Sequence, residues 1–467
     1  MKTAPLLALC AAALTVSLLM GLAAPAAHAD TVLPTAISVG NSPRGVAIEP
    51  DGSRVYVANF TSNTVSEIDP ASNTVVNAVA VGTQPWNLAV SPASGGGVFV
   101  TSYTASSVGQ FHAADASSVV IVDNTFASSP SGIAATSVSG VGKIYFANSG
   151  NDTVVAANLD GTGAVSIAVG VSPRDVAATP DGKYVYVAND GSDNVSVIDT
   201  ASNTVAATVA AGTNPGGVAI SPDGQYAWVA NHDGNNVSVI ATAENTNAAI
   251  RNTVVATVTV GTWPEWVAFT PDGQYAYVTN GFYNRVSVIN TAVALTTPAS
   301  AVVSTLTVGN GPYGVAITPN GQFAYVSNRN DSTVSVITLD TPPALTTAAT
   351  LPAATEEAAY SATIAATGSP APTLSASGLP AWLTFDPATG ELTGTPPTGV
   401  ASYSFDITAT NTVHGDAANP ATATRTYTIA VISPLGMTNA AAVPTLSETT
   451  LALLALLLAA FGLKRRA

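Results

Sequence analysis

Cysteine is nearly absent from this sequence, and histidine is scarce. The 467 residues include one cysteine, Cys10, and four histidines. Disulfide scaffolds, thiolate nucleophiles and cysteine-based zinc sites all need thiols that this chain does not supply. The histidines at 112, 232 and 414 are too far apart in sequence to indicate a His-rich redox site. We therefore expect no catalytic residues, no metal site and no cofactor.

Charged residues are also few, and most of them are acidic. They make up 9% of the chain, and 13 lysines and arginines against 28 aspartates and glutamates give a net charge of −15. A nucleic-acid partner is not expected, because phosphate binding needs a basic surface. Apolar residues reach 47%, which excludes a charge-rich disordered chain.

The first 29 residues predict a secretory signal peptide. A positive charge at Lys2 precedes the mostly apolar segment 6–22, which contains Cys10. Small residues then lead to a predicted cleavage site between Ala29 and Asp30. The alternative is an uncleaved membrane anchor. Cleavage would leave a mature chain without cysteine.

A phrase that begins at Pro43 and ends at Asn59 occurs seven times along the chain. It reads PRGVAIEPDGSRVYVAN in the first copy, and the prolines that begin the copies are residues 43, 85, 130, 173, 215, 264 and 312. The copies are 42 to 49 residues apart. A period of this length with strand-like units is typical of a β-propeller with one blade per repeat.

Each repeat predicts four strands, for which the first copy provides the pattern. Short runs rich in Val, Ile and Tyr cover residues 45–48, 54–59, 64–69 and 74–81. A Pro-Asp-Gly turn separates the first two runs. Helical spacing of apolar residues is not seen. The sequence therefore predicts an all-β fold.

The two ends of the repeat region predict how the ring closes. Residues 34–40 match the fourth strand of a repeat, whereas the last repeat has only three strands and ends near Leu339. We expect the N-terminal strand to complete the last blade and to remove the open sheet edge.

The phrase resembles the YVTN-type β-propeller repeat, whose four letters stand at Tyr277-Val278-Thr279-Asn280. The similarity covers roughly residues 31–340, although the second and third copies lack the Pro-Asp-Gly turn. The resemblance implies a seven-bladed propeller of an extracellular or surface protein. Some relatives of this kind are lactonase-like or carry cofactors.

A second module follows a predicted linker, Asp340 to Pro343. Residues 344–432 contain short strand-like runs and resemble the Ig-like modules of bacterial surface proteins. The resemblance implies a β-sandwich that serves as a spacer or an adhesive unit. We expect Trp382 and Phe385 to belong to its core.

The C-terminal tail resembles the IPTL-CTERM sorting tail of Gram-negative bacteria. The motif stands at Val443, Pro444, Thr445 and Leu446, and an apolar segment, 449–463, precedes three basic residues. The resemblance implies cleavage by a sorting protease in the membrane; the alternative is a plain membrane anchor. The predicted organisation is a signal peptide (1–29), a propeller (30–340), an Ig-like β-sandwich (341–433) and a sorting tail (434–467) with a transmembrane segment (449–463).

Variable residues at one face of the propeller form the predicted binding site. Loops that begin the first strand and loops that follow the second strand share this face, and their residues change from blade to blade. Aromatic rings and charged groups suit an extended polar ligand, a glycan or a peptide. The alternative is that they only plug the channel. The predicted residues are Arg44, Trp86, Arg174, Asp175, His232, Trp263, Glu265, Trp266, Phe282, Tyr283, Tyr313 and Arg329.

A hydrolase is the second functional hypothesis. A lactonase-like site in the propeller channel would use Asp175, Glu265 and Asn87 around a divalent cation. The sequence contains no Gly-x-Ser-x-Gly nucleophile motif. We therefore expect a cell-surface binding or structural protein that is not an enzyme.

Overall fold

The computed structural model describes residues 30–433, apart from residues 93–96, 113–114, 124, 139, 400 and 417. Strands account for 56% and helices for 4% of the structure, so the predicted all-β fold is confirmed. Within the described ranges, no helix is long and apolar enough to cross a membrane. The predicted signal peptide, sorting motif and transmembrane segment lie outside them.

The propeller consists, in the described part of the chain, of seven antiparallel sheets that we call blades 1 to 7. Two short strands, β1 (Thr31–Val32) and β2 (Ile37–Ser38), precede them. Blade 1 is β3 (Pro43–Ile48), β4 (Val55–Asn59), β5 (Thr64–Asp69) and β6 (Thr74–Ala80); blade 2 is β7 (Pro85–Val90), β8 (Val98–Ser102), β9 (Ser107–His112) and β10 (Asp115–Asp123). Blade 3 is β11 (Pro130–Val138), β12 (Val141–Asn148), β13 (Thr153–Asn158) and β14 (Val165–Ala168); blade 4 is β15 (Pro173–Ala178), β16 (Tyr184–Asn189), β17 (Asn194–Asp199) and β18 (Thr204–Ala210).

The remaining blades follow the same order. Blade 5 is β19 (Pro215–Ile220), β20 (Tyr226–Asn231), β21 (Asn236–Ala241) and β22 (Thr253–Thr259); blade 6 is β23 (Pro264–Phe269), β24 (Tyr275–Asn280), β25 (Arg285–Asn290) and β26 (Val302–Thr307); blade 7 contains β27 (Pro312–Ile317), β28 (Phe323–Asn328) and β29 (Thr333–Thr338). The innermost strand of each blade contacts that of the next, and β27 contacts β3, so the ring is closed.

Blade 7 is completed by the N-terminal segment, as predicted. Both β1 and β2 pair antiparallel with β29, and Ile37, which lies opposite Val334, is buried. The predicted single strand is divided in two. Pro34 lies between the two parts and has no N–H group to continue the ladder.

Glycine alternates with larger residues at the third position of the inner strands. This position holds Gly45, Asn87, Gly132, Asp175, Gly217, Trp266 and Gly314 in blades 1 to 7. A Cβ atom on Gly217 would lie 2.6 Å from the Glu265 carbonyl oxygen and 3.0 Å from the Trp266 Cα. Each of these glycines therefore leaves room for its neighbour in the next blade. Asn87, Asp175 and Trp266 line the central channel, whose volume is about 540 Å³.

A buried asparagine joins the second and third strands of five blades. In each case its side-chain amide donates a 2.9 Å hydrogen bond to a serine hydroxyl, in the pairs Asn59–Ser66, Asn189–Ser196, Asn231–Ser238, Asn280–Ser287 and Asn328–Ser335. Blade 2 has Ser102 and Gly109 at these positions, and blade 3 has Asn148 and Val155. Blades 2 and 3 therefore lack this bond.

Short helices lie between the third and fourth strands of blades 5 and 6. They are a 3-10 turn (Ala248–Ile250), α1 (Thr291–Thr296) and a second 3-10 turn (Pro298–Ser300). Asn290 caps α1, because its side-chain oxygen accepts a hydrogen bond from the Val293 N–H at 3.1 Å. A further 3-10 turn, Asp190–Ser192, lies between the second and third strands of blade 4.

The C-terminal module is a β-sandwich. Its strands are β30 (Thr341–Leu345), β31 (Ala354–Thr355), β32 (Tyr360–Thr363), β33 (Ala366–Ser369), β34 (Thr373–Ser377), β35 (Leu383–Asp386), β36 (Glu391–Gly394), β37 (Ala401–Asn411) and β38 (Ala421–Ile432). Trp382 and Phe385 pack against its core, as predicted. The expected linker is instead ordered structure, because Asp340 is buried and Thr341–Leu345 forms β30, which pairs with β33.

Asp30 lies buried at the junction of propeller and β-sandwich. Its carboxylate accepts hydrogen bonds from the Tyr277 hydroxyl and, at 2.8 Å, from the Asp340 N–H. His414 of the β-sandwich places Nδ1 2.8 Å from the same carboxylate. Polar contacts thus join the N-terminal segment, blade 6 and the second module.

Candidate functional site

The loops that precede the inner strands aim their residues at one mouth of the central channel. Every residue before a repeat proline has a positive φ, between 47° and 67°, and these residues are Ser42, Gln84, Ser129, Ser172, Asn214, Trp263 and Gly311. Left-handed backbone costs a bulky residue about 1–3 kcal/mol. Trp263, the bulkiest of these residues, therefore occupies a strained position.

Tyr313 lies at the centre of this mouth and is buried. The guanidinium carbons of Arg44, Arg174 and Arg329 lie 5.5, 5.9 and 5.8 Å from the centroid of its ring. These three arginines come from blades 1, 4 and 7. The ring face therefore gathers cationic groups from separate parts of the propeller.

Arg44 is held between aromatic rings. Its guanidinium carbon lies 3.7 Å from the centroid of the Phe60 ring and 3.9 Å from that of Trp86. Its Nε is buried and has no hydrogen-bond partner among the described residues. Burial lowers the pKa of Arg44; Tyr313 and Glu265 raise it, whereas the charges of Arg329 and Arg174 lower it, and the net pKa is lowered. The site therefore holds a buried guanidinium with one unpartnered N–H group.

Trp86 is enclosed by its neighbours. Tyr103 packs against it at 5.1 Å between ring centroids, while Phe60 and Tyr313 make edge contacts at 5.8 and 6.4 Å. With Arg44 over its ring, Trp86 serves chiefly to position the guanidinium and has little surface left to stack on a ligand.

Arg174 crosses the mouth from blade 4 to blade 6. Its Nη2 donates a 2.5 Å hydrogen bond to the carboxylate of Glu265, and it lies 3.4 Å from the Tyr313 hydroxyl. Glu265 also lies 3.5 Å from Nε2 of His232. Burial raises the pKa of Glu265, but the charge of Arg174, together with His232 and Arg329, lowers it overall. Hydrogen bonding to Glu265 raises the pKa of His232.

An exposed aromatic strip, formed by Trp263, Phe282 and Tyr283, continues outward from His232. Trp263 stacks on the imidazole of His232 at 5.3 Å, and edge contacts join it to Phe282 and Phe282 to Tyr283. The three aromatic residues are 40%, 52% and 59% exposed. A groove of about 410 Å³ lined by Tyr283 and Arg285 runs beside the strip.

A small pocket, here called the serine pocket, lies over blades 2 to 4. Its volume is about 200 Å³, and its lining is Trp86, Tyr103, Ser131, Ser149, Ser172, Arg174 and Asp190. The hydroxyls of Ser131 and Ser149 donate to the backbone carbonyls of Pro173 and Ser129 at 3.1 and 2.8 Å. These two oxygens therefore remain available chiefly as acceptors.

Asp175 is separated from the residues at the mouth and lies in the channel below. Its carboxylate accepts hydrogen bonds from the Val218 N–H at 3.0 Å and from the Asn87 side chain at 3.4 Å. Burial raises the pKa of Asp175 to about 7. Glu265 does not approach Asp175 but is hydrogen-bonded to Arg174 at the mouth. No group of three or more potential metal ligands occurs in the described part of the chain.

The other eleven predicted binding residues form one continuous network of contacts. It runs from Tyr283 at the rim through Trp263, His232, Glu265 and Arg174 to the centre, where Trp266 and Arg329 flank Tyr313. Five residues of the serine pocket are not in the predicted set, namely Tyr103, Ser131, Ser149, Ser172 and Asp190. Ser149 follows the asparagine that ends a second strand, and Ser172 precedes a repeat proline, so alignment of the repeats locates both.

Three family models match successive parts of the chain. The YNCE-like beta-propeller model matches residues 1–320, the He_PIG model of an Ig domain matches residues 342–432, and the IPTL-CTERM motif matches residues 441–467. The resemblances in the sequence are thereby confirmed. Together the three modules indicate an exported, surface-associated protein.

Solved structures with very different titles share the propeller fold. Hydrazine synthase of Kuenenia stuttgartiensis is 25% identical with a TM-score of 0.56, a streptogramin B lyase is 16% identical (0.53), and the Cps50 (Swd1) beta-propeller domain of Myceliophteria thermophila is 12% identical (0.54). Each similarity covers 66% of this chain and 99%, 96% and 99% of those chains, respectively. Fold alone therefore does not indicate an activity.

A curated relative matches only a short stretch. The PE-PGRS family protein PE_PGRS18 of Mycobacterium tuberculosis (strain ATCC 25618 / H37Rv) is 51% identical over 55 residues, which is 12% of this chain and 12% of that protein.

Proposed function

This chain belongs to the YNCE-like β-propeller family, and we propose that it is a cell-surface binding protein whose propeller mouth recognises an extended glycan or peptide. The network from Tyr283 to Tyr313 supplies the contact surface. The β-sandwich acts as a spacer between the propeller and the sorting tail.

The exposed aromatic strip is the observation that carries this proposal. Phe282 and Tyr283 expose more than half of their surface although most aromatic side chains of the propeller are buried. Contiguous exposed apolar surface with a polar border is typical of a binding site. Trp263 adds to the strip at a left-handed backbone position that glycine, as at Gly311 of blade 7, occupies without strain. Plugging the channel would not require these residues at the rim.

Array binding tests the proposal. The secreted chain and a Phe282→Ala/Tyr283→Ala variant are compared on glycan and peptide arrays, with Val76→Ala as the control. Val76 is 51% exposed on the outer strand of blade 1, away from the mouth. We expect retention of at least one ligand by the wild type and the control and its loss from the double variant. Failure of the wild type to bind any ligand on either array would refute the proposal.

We further propose that the C-terminal tail directs the protein to the surface and is removed. A membrane sorting protease would cleave near Val443–Leu446, and segment 449–463 would hold the chain in the membrane until then. Mass spectrometry of the mature protein should find a C-terminus near this motif. A mature chain ending at Ala467 would favour the plain anchor.

Binding without catalysis is part of the proposal. A lactonase-like hydrolase would need Asp175 and Glu265 to converge on one substrate, whereas Glu265 is paired with Arg174 and His232 at the mouth. We expect no lactone hydrolysis and no shift of the melting temperature with EDTA. Turnover that is abolished by Asp175→Asn would favour the hydrolase instead.

A further inference from the structure

We propose that the ligand is an acidic glycan, bound with a carboxylate at the arginines around Tyr313 and with hydroxyl groups of the sugar in the serine pocket. This inference rests on the proposed binding function and adds the chemical class of the ligand. The class follows from two kinds of polar group that lie side by side at the mouth.

The arginines of the mouth are incompletely neutralised in a strongly acidic protein. The chain carries a net charge of −15, yet Arg44, Arg174 and Arg329 all lie within 6 Å of one ring centroid. Arg174 has Glu265 as a partner. Over the residues that the structure describes, neither Arg44 nor Arg329 forms a salt bridge.

Glu265 thus acts on Arg44 and Arg329 only from beyond salt-bridge distance, at a site where burial makes charge costly. Arg44 illustrates the cost, because its Nε is buried without a hydrogen-bond partner. An incoming carboxylate would compensate this charge with charge-assisted hydrogen bonds, for which the planar guanidinium is well suited.

The serine pocket next to the arginines presents hydrogen-bonding groups that suit the hydroxyls of a ligand. Ser131 and Ser149 already donate their protons to backbone carbonyls, and Asp190 offers a carboxylate. The pocket therefore presents acceptors, while Arg174 at its edge presents donors. A sugar ring carries hydroxyls that both donate and accept, so it satisfies both sets.

A glycan fits this mouth better than an acidic peptide does. The serine pocket, about 200 Å³ in volume, holds one small polar unit and is lined mainly by hydroxyl and charged groups rather than by an apolar anchor cavity. A peptide side chain would bring few donors to its acceptors. The unit that supplies a carboxylate and several hydroxyls together is a uronic acid.

Isothermal titration with an oligogalacturonate tests the inference. The probe is compared with its methyl ester, which is neutral and otherwise alike. The secreted chain is titrated beside Arg329→Gln, Ser172→Ala and the control Arg251→Gln, which removes the same charge from the opposite face, where the Arg251 Nε donates to the Asn245 carbonyl. Melting temperatures verify that each variant is folded.

We expect the acidic probe to bind at least tenfold more tightly than the ester. Arg329→Gln should weaken binding about tenfold, Ser172→Ala severalfold, and Arg251→Gln should leave it unchanged. Equal binding of acid and ester, or no effect of Arg329→Gln, would overturn the inference. Binding of poly-glutamate but not of the oligogalacturonate would assign the mouth to a peptide, and would leave the proposed binding function intact.

Discussion

Blades 2 and 3 differ from the other five in both framework and surface. The five regular blades join their second and third strands by the buried asparagine–serine bond, which blades 2 and 3 lack. The two irregular blades nevertheless supply Trp86, Tyr103, Ser131 and Ser149 to the serine pocket. The two blades whose framework diverges are thus the ones that supply most residues of the serine pocket. A ring in which each blade packs mainly against its two neighbours tolerates such local divergence.

Loss of ring closure should cause the largest loss of stability, because blade 7 is a regular blade that lacks a fourth strand of its own. Deletion of residues 31–40 removes β1, β2 and the buried Ile37, and it exposes the edge of β29. Loss of one buried isoleucine alone costs about 2–5 kcal/mol, and the strand bonds add to it. We expect thermal unfolding at a much lower temperature in calorimetry. An unchanged melting temperature would contradict closure by this segment.

Asp175 makes blade 4 sensitive to pH. Because burial raises its pKa from 3.8 to about 7, the folded state binds more protons than the unfolded state between these values. Its contribution to stability therefore falls as the pH rises from about 4 to 7, at about 1.4 kcal/mol per pH unit at most. Asp175→Asn should flatten the dependence of the unfolding free energy on pH between 5 and 8. An identical slope in variant and wild type would show that Asp175 is not protonated in the folded state.

The buried asparagine–serine hydrogen bond is the clearest structural difference between the five regular blades and blades 2 and 3. Asn231 makes hydrogen bonds to Ser238, Asn236 and the Gly212 N–H in blade 5. Asn231→Ala should cost about 2 kcal/mol, since buried groups lose their partners. Ser102→Ala, at the same position of blade 2, should cost about 0.5 kcal/mol or less. Urea denaturation of both variants measures the difference, and equal losses would mean that the bond does not distinguish the blades.

Adjacent glycines of blade 5 should respond differently to a methyl group. On Gly217 a Cβ would meet backbone atoms of Glu265 and Trp266, whereas on Gly216 the nearest atom is Nη1 of Arg174 at 3.4 Å, an ordinary van der Waals distance. Gly217→Ala should lower the free energy of unfolding by about 1–2 kcal/mol. Gly216→Ala should be nearly neutral. The same urea titrations compare them, and a harmless Gly217→Ala would argue against tight packing between neighbouring inner strands.

The repeat made most of the propeller predictable. Hydrophobic runs and Pro-Asp-Gly turns locate the strands of the regular blades within one or two residues, and the missing fourth strand of blade 7 predicts the closing segment. The junction between the propeller and the β-sandwich was not predictable in this way. Asp30 is 310 residues from Asp340 and 384 residues from His414 in sequence, and only the fold brings them together. Asp340 therefore looked like the start of a linker although it is buried.

The sequence predicts which residues gather at the mouth, but not how they are arranged there. Alignment of the repeats identifies which positions face the mouth, and eleven of the twelve predicted residues do join one network. Spacing does not reveal that Trp86 would be enclosed by Arg44 and Tyr103, or that Asp175 would turn into the channel although Arg174 stays at the mouth. Such details depend on contacts between different blades, which a repeat pattern does not encode.

Asn328 and Arg329 are adjacent in sequence, and substituting each of them tests directly whether a constant framework carries a variable binding mouth. Asn328 is buried and bonded to Ser335, whereas Arg329 lies beside Tyr313 at the mouth. The measurement is a calorimetric titration of oligogalacturonate into folded Asn328→Ala and Arg329→Gln, with the melting temperature of each recorded. We predict that Asn328→Ala has reduced stability and normal affinity. Arg329→Gln should have normal stability and about tenfold weaker binding. Equal affinities for the two variants would contradict it.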